Sequence, residues 1–193
     1  MINELITTYF NGVNEAYHIG NVESSYYAHI ITLVSSLGCE AKDMSGERKG
    51  ETGENVDIKL WHLGEDISET EPFAGIEAKK IEGIDKRALR NIKTETLRYG
   101  NVILTDNLEW QFYRIDNGEV KLYSRIKIIE LRGGKLVLLE ENLPLFFSLL
   151  RYFLMKDPAQ IKSSSKLAQY MATHAKTIHN IMGNRNYWLD MII

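Results

Sequence analysis

Apolar side chains recur at helical spacing in two stretches near the beginning of the chain. They fall three or four positions apart over residues 3–17, and the same spacing returns over residues 22–37. Positions three and four apart share one face of a helix, so each stretch predicts an amphipathic helix. Gly20 and Asn21 separate the two helices, and Gly38 is placed to end the second.

Beyond residue 38 the pattern changes to short strands separated by polar loops. Residues 40–54 are charged and carry glycines, which predicts an exposed loop, and a second polar loop covers residues 64–71. Short apolar or alternating runs predict strands at residues 57–63, 73–80, 101–105, 109–115 and 120–129.

One helix interrupts these strands, at residues 84–99, with lysine and arginine on one face and apolar side chains that include Leu89 and Leu97. Helices return after the glycine pair at residues 133–134, first at residues 143–154 and then at residues 163–182. Because strands and helices alternate, we expect an α/β fold with a mixed central sheet flanked by helices, followed by a C-terminal helical extension.

The composition is that of a globular protein with its own core. Of the 193 residues, 44% are hydrophobic and 25% are charged. Cys39 is the single cysteine, so an internal disulfide is excluded and a reducing cytoplasm is the expected location. The beginning of the sequence lacks the pattern of a signal peptide, and no apolar run is long enough to span a bilayer, so we expect no membrane partner.

The formal net charge is −3, which does not favour contact with nucleic acid. A DNA enzyme with this balance needs its basic side chains clustered locally, or needs affinity supplied by another domain.

An acid and a base follow the apolar part of the strand predicted at residues 73–80. Glu77 and Lys79 are two positions apart and therefore share one face of that strand. Asp57 begins the preceding strand, and a hairpin between the two strands places it beside Glu77. Two carboxylates are hard oxygen ligands for a divalent cation, while a lysine can orient or polarise a water molecule.

Plainer explanations exist for each of these residues. A glutamate and a lysine on one strand face are common at a solvated sheet edge. Glu23, in the first turn of the second predicted helix, is placed favourably near the positive end of a helix dipole.

The order of these elements resembles the PD-(D/E)XK nucleases: a helix with an early Glu, a strand with Asp, a strand with Glu-x-Lys, a basic helix and two further strands. In detail the chain is similar to the N-terminal nuclease domains of single-chain restriction–modification enzymes of the type IIG and type ISP kind. The segments that carry the likeness are Glu23-Ser24-Ser25-Tyr26, Gly53-Glu54-Asn55-Val56-Asp57, Ile76-Glu77-Ala78-Lys79, Glu95-Thr96-Leu97-Arg98-Tyr99, Ile103-Leu104-Thr105-Asp106, Glu109-Trp110-Gln111-Phe112-Tyr113 and Lys166-Leu167-Ala168-Gln169-Tyr170-Met171-Ala172.

The chain departs from that pattern in two places and lacks one part of it. Val56 stands where a proline usually precedes the acid, and Glu95 stands where the family has a glutamine. No glycine-rich cofactor loop and no Asn-Pro-Pro-Tyr segment of a methyltransferase is present.

The resemblance implies a restriction-endonuclease-like core at residues 1–135 and a helical connector at residues 136–193 that leads toward a methyltransferase domain. It implies Mg²⁺-dependent hydrolysis of DNA phosphodiester bonds, with Mn²⁺ as a substitute metal. The implied catalytic residues are Asp57, Glu77, Lys79 and Glu23, with Asp57 and Glu77 as the metal ligands. The implied DNA contacts are Lys86, Arg90, Lys93, Glu95 and Arg98.

The implied partners are double-stranded DNA, methyltransferase and target-recognition domains in the full-length chain, and a second copy for double-strand cleavage. Two alternatives stay open. The same fold can serve as a non-catalytic module that positions DNA or contacts protein, and the chain can be an unrelated α/β domain.

Overall fold

The computed structural model describes residues 2–46 and 56–155. The helix predicted at residues 163–182 lies outside that part of the chain. The described α-helices are α1 (Ile2–Ile19), α2 (Tyr27–Ser35), α3 (Lys86–Tyr99) and α4 (Leu143–Met155), with 3₁₀ turns at Glu23–Tyr26 and Glu140–Asn142. The described strands are β1 (Cys39–Asp43), β2 (Ile58–His62), β3 (Ala74–Ala78), β4 (Asn101–Thr105), β5 (Glu109–Asp116), β6 (Glu119–Lys127), β7 (Ile129–Arg132) and β8 (Lys135–Leu138).

Six strands form one sheet in the order β1-β2-β3-β4-β5-β6. The β3–β4 pair is parallel and is joined through α3, whereas the other pairs are antiparallel. The sheet is therefore mixed, as the alternation of strands and helices predicts. The expected hairpin between β2 and β3 is confirmed, with Ile58 opposite Ile76. The β7–β8 pair forms a separate two-stranded sheet.

Three boundary predictions are wrong. Residues 40–43 were expected in a loop but belong to β1, whose polar side chains line an edge strand and whose main chain pairs with β2. The predicted helix at residues 22–37 begins as a 3₁₀ turn, because Ser25 N–H binds the carbonyl of Val22 three residues back. The predicted strand at residues 120–129 is divided at Ile128, whose N–H turns to Leu108 O at 2.9 Å.

Helices cover both faces of the six-stranded sheet. Alternate residues of β4 serve the two sides: Ile103 joins a large cluster with α1, α2 and α4, while Val102 and Leu104 join a smaller cluster under α3. The predicted apolar face of α3 is only partly correct. Leu89 and Leu97 are 47% and 51% exposed, because the sheet contacts the side of α3 that carries Ala88, Ile92 and Thr96.

The helix α4 packs into the large cluster. Phe146, Leu150 and Phe153 are buried there, and the Phe146 ring centroid lies 5.2 Å from that of Trp110. Residues on both sides of the predicted domain boundary at 135/136 thus share one core, and the division into two domains stays a prediction. Among residues 2–46 and 56–155, no helix has the length and apolar character needed to cross a bilayer.

The guanidinium of Arg114 on β5 lies among three aromatic rings. Its Cζ is 4.9 Å from the ring centroids of Tyr123, Tyr152 and Phe153. Within the part of the chain that the structure describes, its Nε and Nη2 are buried without a hydrogen-bond partner. Aromatic faces attract a cation, so Arg114 on β5 links this strand to β6 and α4 through the rings of Tyr123, Tyr152 and Phe153.

Candidate active site

The ammonium group of Lys79 lies among three carboxylates. Its Nζ is 2.9 Å from Glu77 Oε1, 3.2 Å from Glu23 Oε1 and 3.7 Å from Asp57 Oδ2. The Lys79 side chain is only 17% exposed. The structure therefore brings together all four residues that the sequence analysis proposed as catalytic, although their role in catalysis stays a prediction.

The two residues of the Glu-x-Lys pair owe their positions to β3. This strand lies inside the sheet, between β2 and β4, and Glu77 is 7% exposed. A solvated sheet edge does not account for the pair, because a buried glutamate has no water shell of its own and needs charged or hydrogen-bonding partners.

Asp57 and Glu23 reach the pair from neighbouring elements. Asp57 precedes β2, and its Oδ2 accepts a hydrogen bond from Ala78 N–H at 2.9 Å, which fixes the carboxylate against the end of β3. Glu23 opens the 3₁₀ turn that follows α1. Its carboxylate binds Lys79, so the helix dipole is not sufficient to explain its position.

Close main-chain packing brings Asp57 toward β3. A Cβ added to Gly75 would come within 2.7 Å of both methyl groups of Val56. No side chain fits at residue 75 without moving Val56, the neighbour of Asp57. Val56 itself is buried in the cluster under α3.

Burial and neighbouring charges shift the pKa values of the side chains in this site. Burial, followed by the charge of Asp57, raises the pKa of Glu77 from 4.5 to about 7, against the opposing effect of Lys79. Burial also raises the pKa of Asp57, while Lys79, Tyr27 and the Ala78 N–H oppose that rise. Burial alone would lower the pKa of Lys79, but Glu77, Asp57 and Glu23 raise it, so the ammonium stays protonated.

The sequence analysis did not identify Tyr27 as part of this site. Its hydroxyl donates to Glu23 Oε1 at 3.4 Å and also interacts with Asp57, whose pKa it lowers. Burial and then Asp57 raise the pKa of Tyr27, so the phenol remains a neutral donor. The apolar periodicity of α2 explains why Tyr27 is buried and gives no signal for the contact of its hydroxyl.

The predicted DNA contacts on α3 divide into three groups. Lys86, Arg90 and Lys93 are exposed, and because β3 and β4 are parallel, α3 begins near the end of β3 that leads to Lys79. Arg98 is also exposed but lies roughly 18 Å along the helix from Lys86, at 1.5 Å of rise per residue. Glu95 is only 2% exposed, so the structure does not place it on a surface that DNA reaches.

The two carboxylates suit a magnesium ion, which needs few protein ligands, better than a metal ion whose ligands all come from protein. Within the described ranges 2–46 and 56–155, no three His, Cys, Asp or Glu side chains form a group that could hold a metal ion. Mg²⁺ commonly uses one or two carboxylates and keeps waters or phosphate oxygens as its other ligands. Asp57 and Glu77 could supply those two carboxylates, and a divalent cation would compensate the charge that burial makes costly for them.

No family model and no curated protein matches this chain. Among solved structures, the chain is similar to one described as a cryo-electron microscopy structure of the DrdV–DNA complex, with a TM-score of 0.52 and 17% sequence identity. The match covers 79% of this chain and 14% of that chain. The six-stranded mixed sheet, its flanking helices and this likeness together confirm the predicted restriction-endonuclease-like fold.

Proposed function

We propose that this chain is a Mg²⁺-dependent endonuclease domain that hydrolyses DNA phosphodiester bonds. The observation that carries the proposal is the meeting of Asp57, Glu77 and Lys79 within hydrogen-bond or ion-pair distance at the end of β3. The fold adds support, since the similar solved structure is a protein–DNA complex.

Asp57 and Glu77 would hold the metal ion in this proposal. Bound Mg²⁺ would supply a Lewis acid that neutralises charge on the scissile phosphate. The Ala78 N–H keeps one oxygen of Asp57 occupied, and burial keeps competing water away from Glu77. Mn²⁺, which accepts the same oxygen ligands, would substitute for Mg²⁺.

Lys79 would act on the attacking water and on the phosphate. An ammonium has three donors and no acceptor, so it can donate to the water oxygen and to a phosphate oxygen as negative charge develops there. Glu77 holds that ammonium at 2.9 Å, and Glu23 supports it from the neighbouring turn at 3.2 Å.

The surface of α3 that begins near the site would meet the DNA backbone through Lys86, Arg90 and Lys93. Phosphate contacts supply most non-specific affinity, and the formal net charge of the chain is −3. We therefore propose that further domains supply target recognition and much of the DNA affinity, in a single-chain restriction–modification protein of the type IIG or type ISP kind. The chain spans only 14% of the similar solved chain, which leaves room for such domains. The cytoplasm is the compartment proposed for this activity.

The competing function is a non-catalytic module that positions DNA, and the acidic balance favours it. The buried set of two carboxylates and a lysine argues against that role, because a binding module gains nothing from charges held away from solvent.

Nicking of supercoiled plasmid in Mg²⁺ and in EDTA tests the proposal. We expect nicking in Mg²⁺ alone, and a loss of at least about 100-fold in Asp57→Asn because a metal ligand is removed. Asp116→Asn is the matched control, since Asp116 is an exposed carboxylate on β5 that pairs with Lys121. Binding of plasmid without nicking by the wild-type chain would favour the positioning module. Equal nicking by both variants would refute the assignment of the metal ligands.

A further inference from the structure

Two asparagine side chains hold the main chain directly after β3. The Nδ2 of Asn107 donates to Lys79 O at 3.2 Å, while Lys79 N–H donates to Thr105 O at 2.7 Å. Two residues further on, Asn21 Oδ1 accepts from Ile81 N–H at 2.9 Å, and its Nδ2 donates to Ile81 O at 3.3 Å. The main-chain N–H and carbonyl of both Lys79 and Ile81 are therefore hydrogen bonded.

Each asparagine is in turn held by a tyrosine. Tyr9 hydroxyl donates to Asn107 Oδ1 at 3.1 Å, and Tyr26 hydroxyl donates to Asn21 Oδ1 at 2.7 Å. Because each hydroxyl donates a proton, the oxygen of the asparagine amide must face the tyrosine. The amide nitrogen then faces the segment after β3 and can donate to it. Tyr9 is 2% exposed and Tyr26 is completely buried, so neither hydroxyl has water as an alternative partner.

The backbone of both asparagines is left-handed, with φ of +68° at Asn107 and +52° at Asn21. Asparagine is one of the few residues other than glycine that adopts this conformation, and it does so here at two turns far apart in sequence. The same combination of tyrosine hydroxyl, left-handed asparagine and main-chain contact thus occurs twice around one short segment.

We infer that these two pairs, Tyr9 with Asn107 and Tyr26 with Asn21, position Lys79 for the proposed reaction. Strand β3 ends at Ala78. The Lys79 N–H still bonds to Thr105 O on β4, whereas the Lys79 carbonyl is held by the Asn107 side chain. A lysine side chain is a flexible stem of four carbons, so the position of Nζ is well defined only if Cα is also fixed. The carboxylates restrain one end of the side chain and the two Tyr–Asn pairs restrain the other.

The inference rests on the proposed function in its kinetic part and on geometry alone in its structural part. Misplacement of a reacting group by about 1 Å can cost about 100-fold in rate. Loss of these two Tyr–Asn pairs, called the clamps below, should therefore lower the turnover rate. It should leave the half-saturating Mg²⁺ concentration unchanged, because Asp57 and Glu77 are untouched.

The test removes single hydroxyl groups. Tyr9→Phe, Tyr26→Phe and the double variant delete the donors, and Tyr113→Phe is the matched control, because Tyr113 donates to Gln111 Oε1 at 2.6 Å on β5. Asn107→Gly and Asn21→Gly form a second series that keeps the left-handed backbone and removes the amides. Thermal unfolding shows which variants remain folded. If the double variant does not fold, the single tyrosine variants and the two asparagine variants carry the test.

Two measurements decide the outcome. In ¹⁵N-lysine NMR, ammonium protons exchange slowly only while hydrogen bonded, so we expect the Lys79 ammonium signal to be lost in the clamp variants and kept in Tyr113→Phe. Backbone exchange at Lys79 and Ile81 should accelerate by at least about tenfold in the same variants. Unchanged signals and exchange rates in the folded clamp variants would overturn the inference.

Plasmid nicking adds a kinetic readout. We expect the maximal rate to fall by about tenfold in the double tyrosine variant at an unchanged half-saturating Mg²⁺ concentration. A wild-type chain that binds plasmid without nicking it would refute the proposed function, and the NMR and exchange data would then decide the positioning of Lys79 by themselves. An unaltered rate in a variant that has lost the ammonium signal would also overturn the inference.

Discussion

Two partly buried cations in this molecule are stabilised by different surroundings. Lys79 lies among three carboxylates, at 2.9 to 3.7 Å, whereas Arg114 lies among three aromatic rings at 4.9 Å. Both sites join several elements of the sheet and its helices. Their chemistry differs, because carboxylates can release an ammonium and take a divalent cation, while aromatic rings offer no ligand for a hard metal ion.

This difference distinguishes a buried charge that serves packing from one that can take part in a reaction. A cation surrounded by aromatic rings has no carboxylates beside it that could bind a metal, so its site serves packing. A cation held by several carboxylates stands beside oxygen ligands that could also hold a metal. Burial, and then the charges of neighbouring carboxylates, raise the pKa values of Glu77 and Asp57, although Lys79 opposes that rise. Removing each cation in turn tests this distinction.

The largest expected difference is in DNA cleavage. Lys79→Met should lower the plasmid nicking rate by at least about 100-fold, because the proposed donor to water and phosphate is lost. Arg114→Met, which removes a cation of similar burial, should leave the rate unchanged once the fraction of folded protein is taken into account. Equal losses in the two variants would mean that cleavage follows folding and not the Lys79 ammonium.

The second difference is in stability and its response to metal. In EDTA at pH 8, Lys79→Met should lower the free energy of unfolding by about 3 kcal/mol, because buried carboxylates lose their counter-charge. Mg²⁺ should restore most of that loss. Arg114→Met should cost about 1–2 kcal/mol whether or not Mg²⁺ is present. Urea unfolding with and without Mg²⁺ measures both, and a Lys79→Met variant that Mg²⁺ does not stabilise would count against the metal site.

The third difference is in pH dependence. The pKa of Glu77 is raised from 4.5 to about 7, so the folded state binds its proton more tightly than the unfolded state. This contribution to stability is complete below pH 4.5 and is lost as pH rises through 7. In EDTA, Glu77→Gln should therefore flatten the fall in stability over that window by about 2 kcal/mol.

Arg114→Met provides the comparison for this pH experiment and should keep the wild-type slope. Urea midpoints between pH 4.5 and 8 measure the effect. Parallel curves for wild type and Glu77→Gln would show that Glu77 does not titrate in that window.

The smallest expected effect concerns one ring of the Arg114 site. Tyr123 is 51% exposed, and a cation–π contact at such a position contributes about 0.5–1 kcal/mol, so Tyr123→Leu should lower the melting temperature by about 1–3 °C. Differential scanning calorimetry measures this shift. A loss as large as that of Arg114→Met would assign the whole effect to this ring and would contradict shared stabilisation of Arg114 by three rings.

The strand side of the candidate site was accessible to sequence analysis. Two-residue periodicity predicts that Glu77 and Lys79 share a face, and a hairpin predicts that Asp57 is their neighbour. These inferences need only local geometry and one pairing between adjacent strands. The bounds of β4 also agree with the prediction, since Val102, Ile103 and Leu104 form an apolar run and the whole strand Asn101–Thr105 is buried.

Other features depend on contacts that no local pattern encodes. The edge strand β1 is polar in sequence and is defined by its main-chain pairing with β2. Arg114 gave no signal, because its partners lie on β6 and α4. The sequence analysis placed Asn21 between two helices, which fits its left-handed backbone, but gave no role to its side chain or to Asn107. The amide contacts of these residues with Ile81 and Lys79 depend on tertiary packing.

Gly75 shows how a residue without functional atoms can decide whether charged residues form a site. Its missing side chain makes room for Val56, and through Val56 it sets how near the start of β2 comes to β3. A chain could keep Asp57, Glu77 and Lys79 unchanged and still displace Asp57 from the other two by gaining a single methyl group at residue 75, because Val56 would have to move. A motif that records only the acidic and basic letters would accept such a chain, whereas a motif that also requires a glycine two residues before the glutamate would reject it.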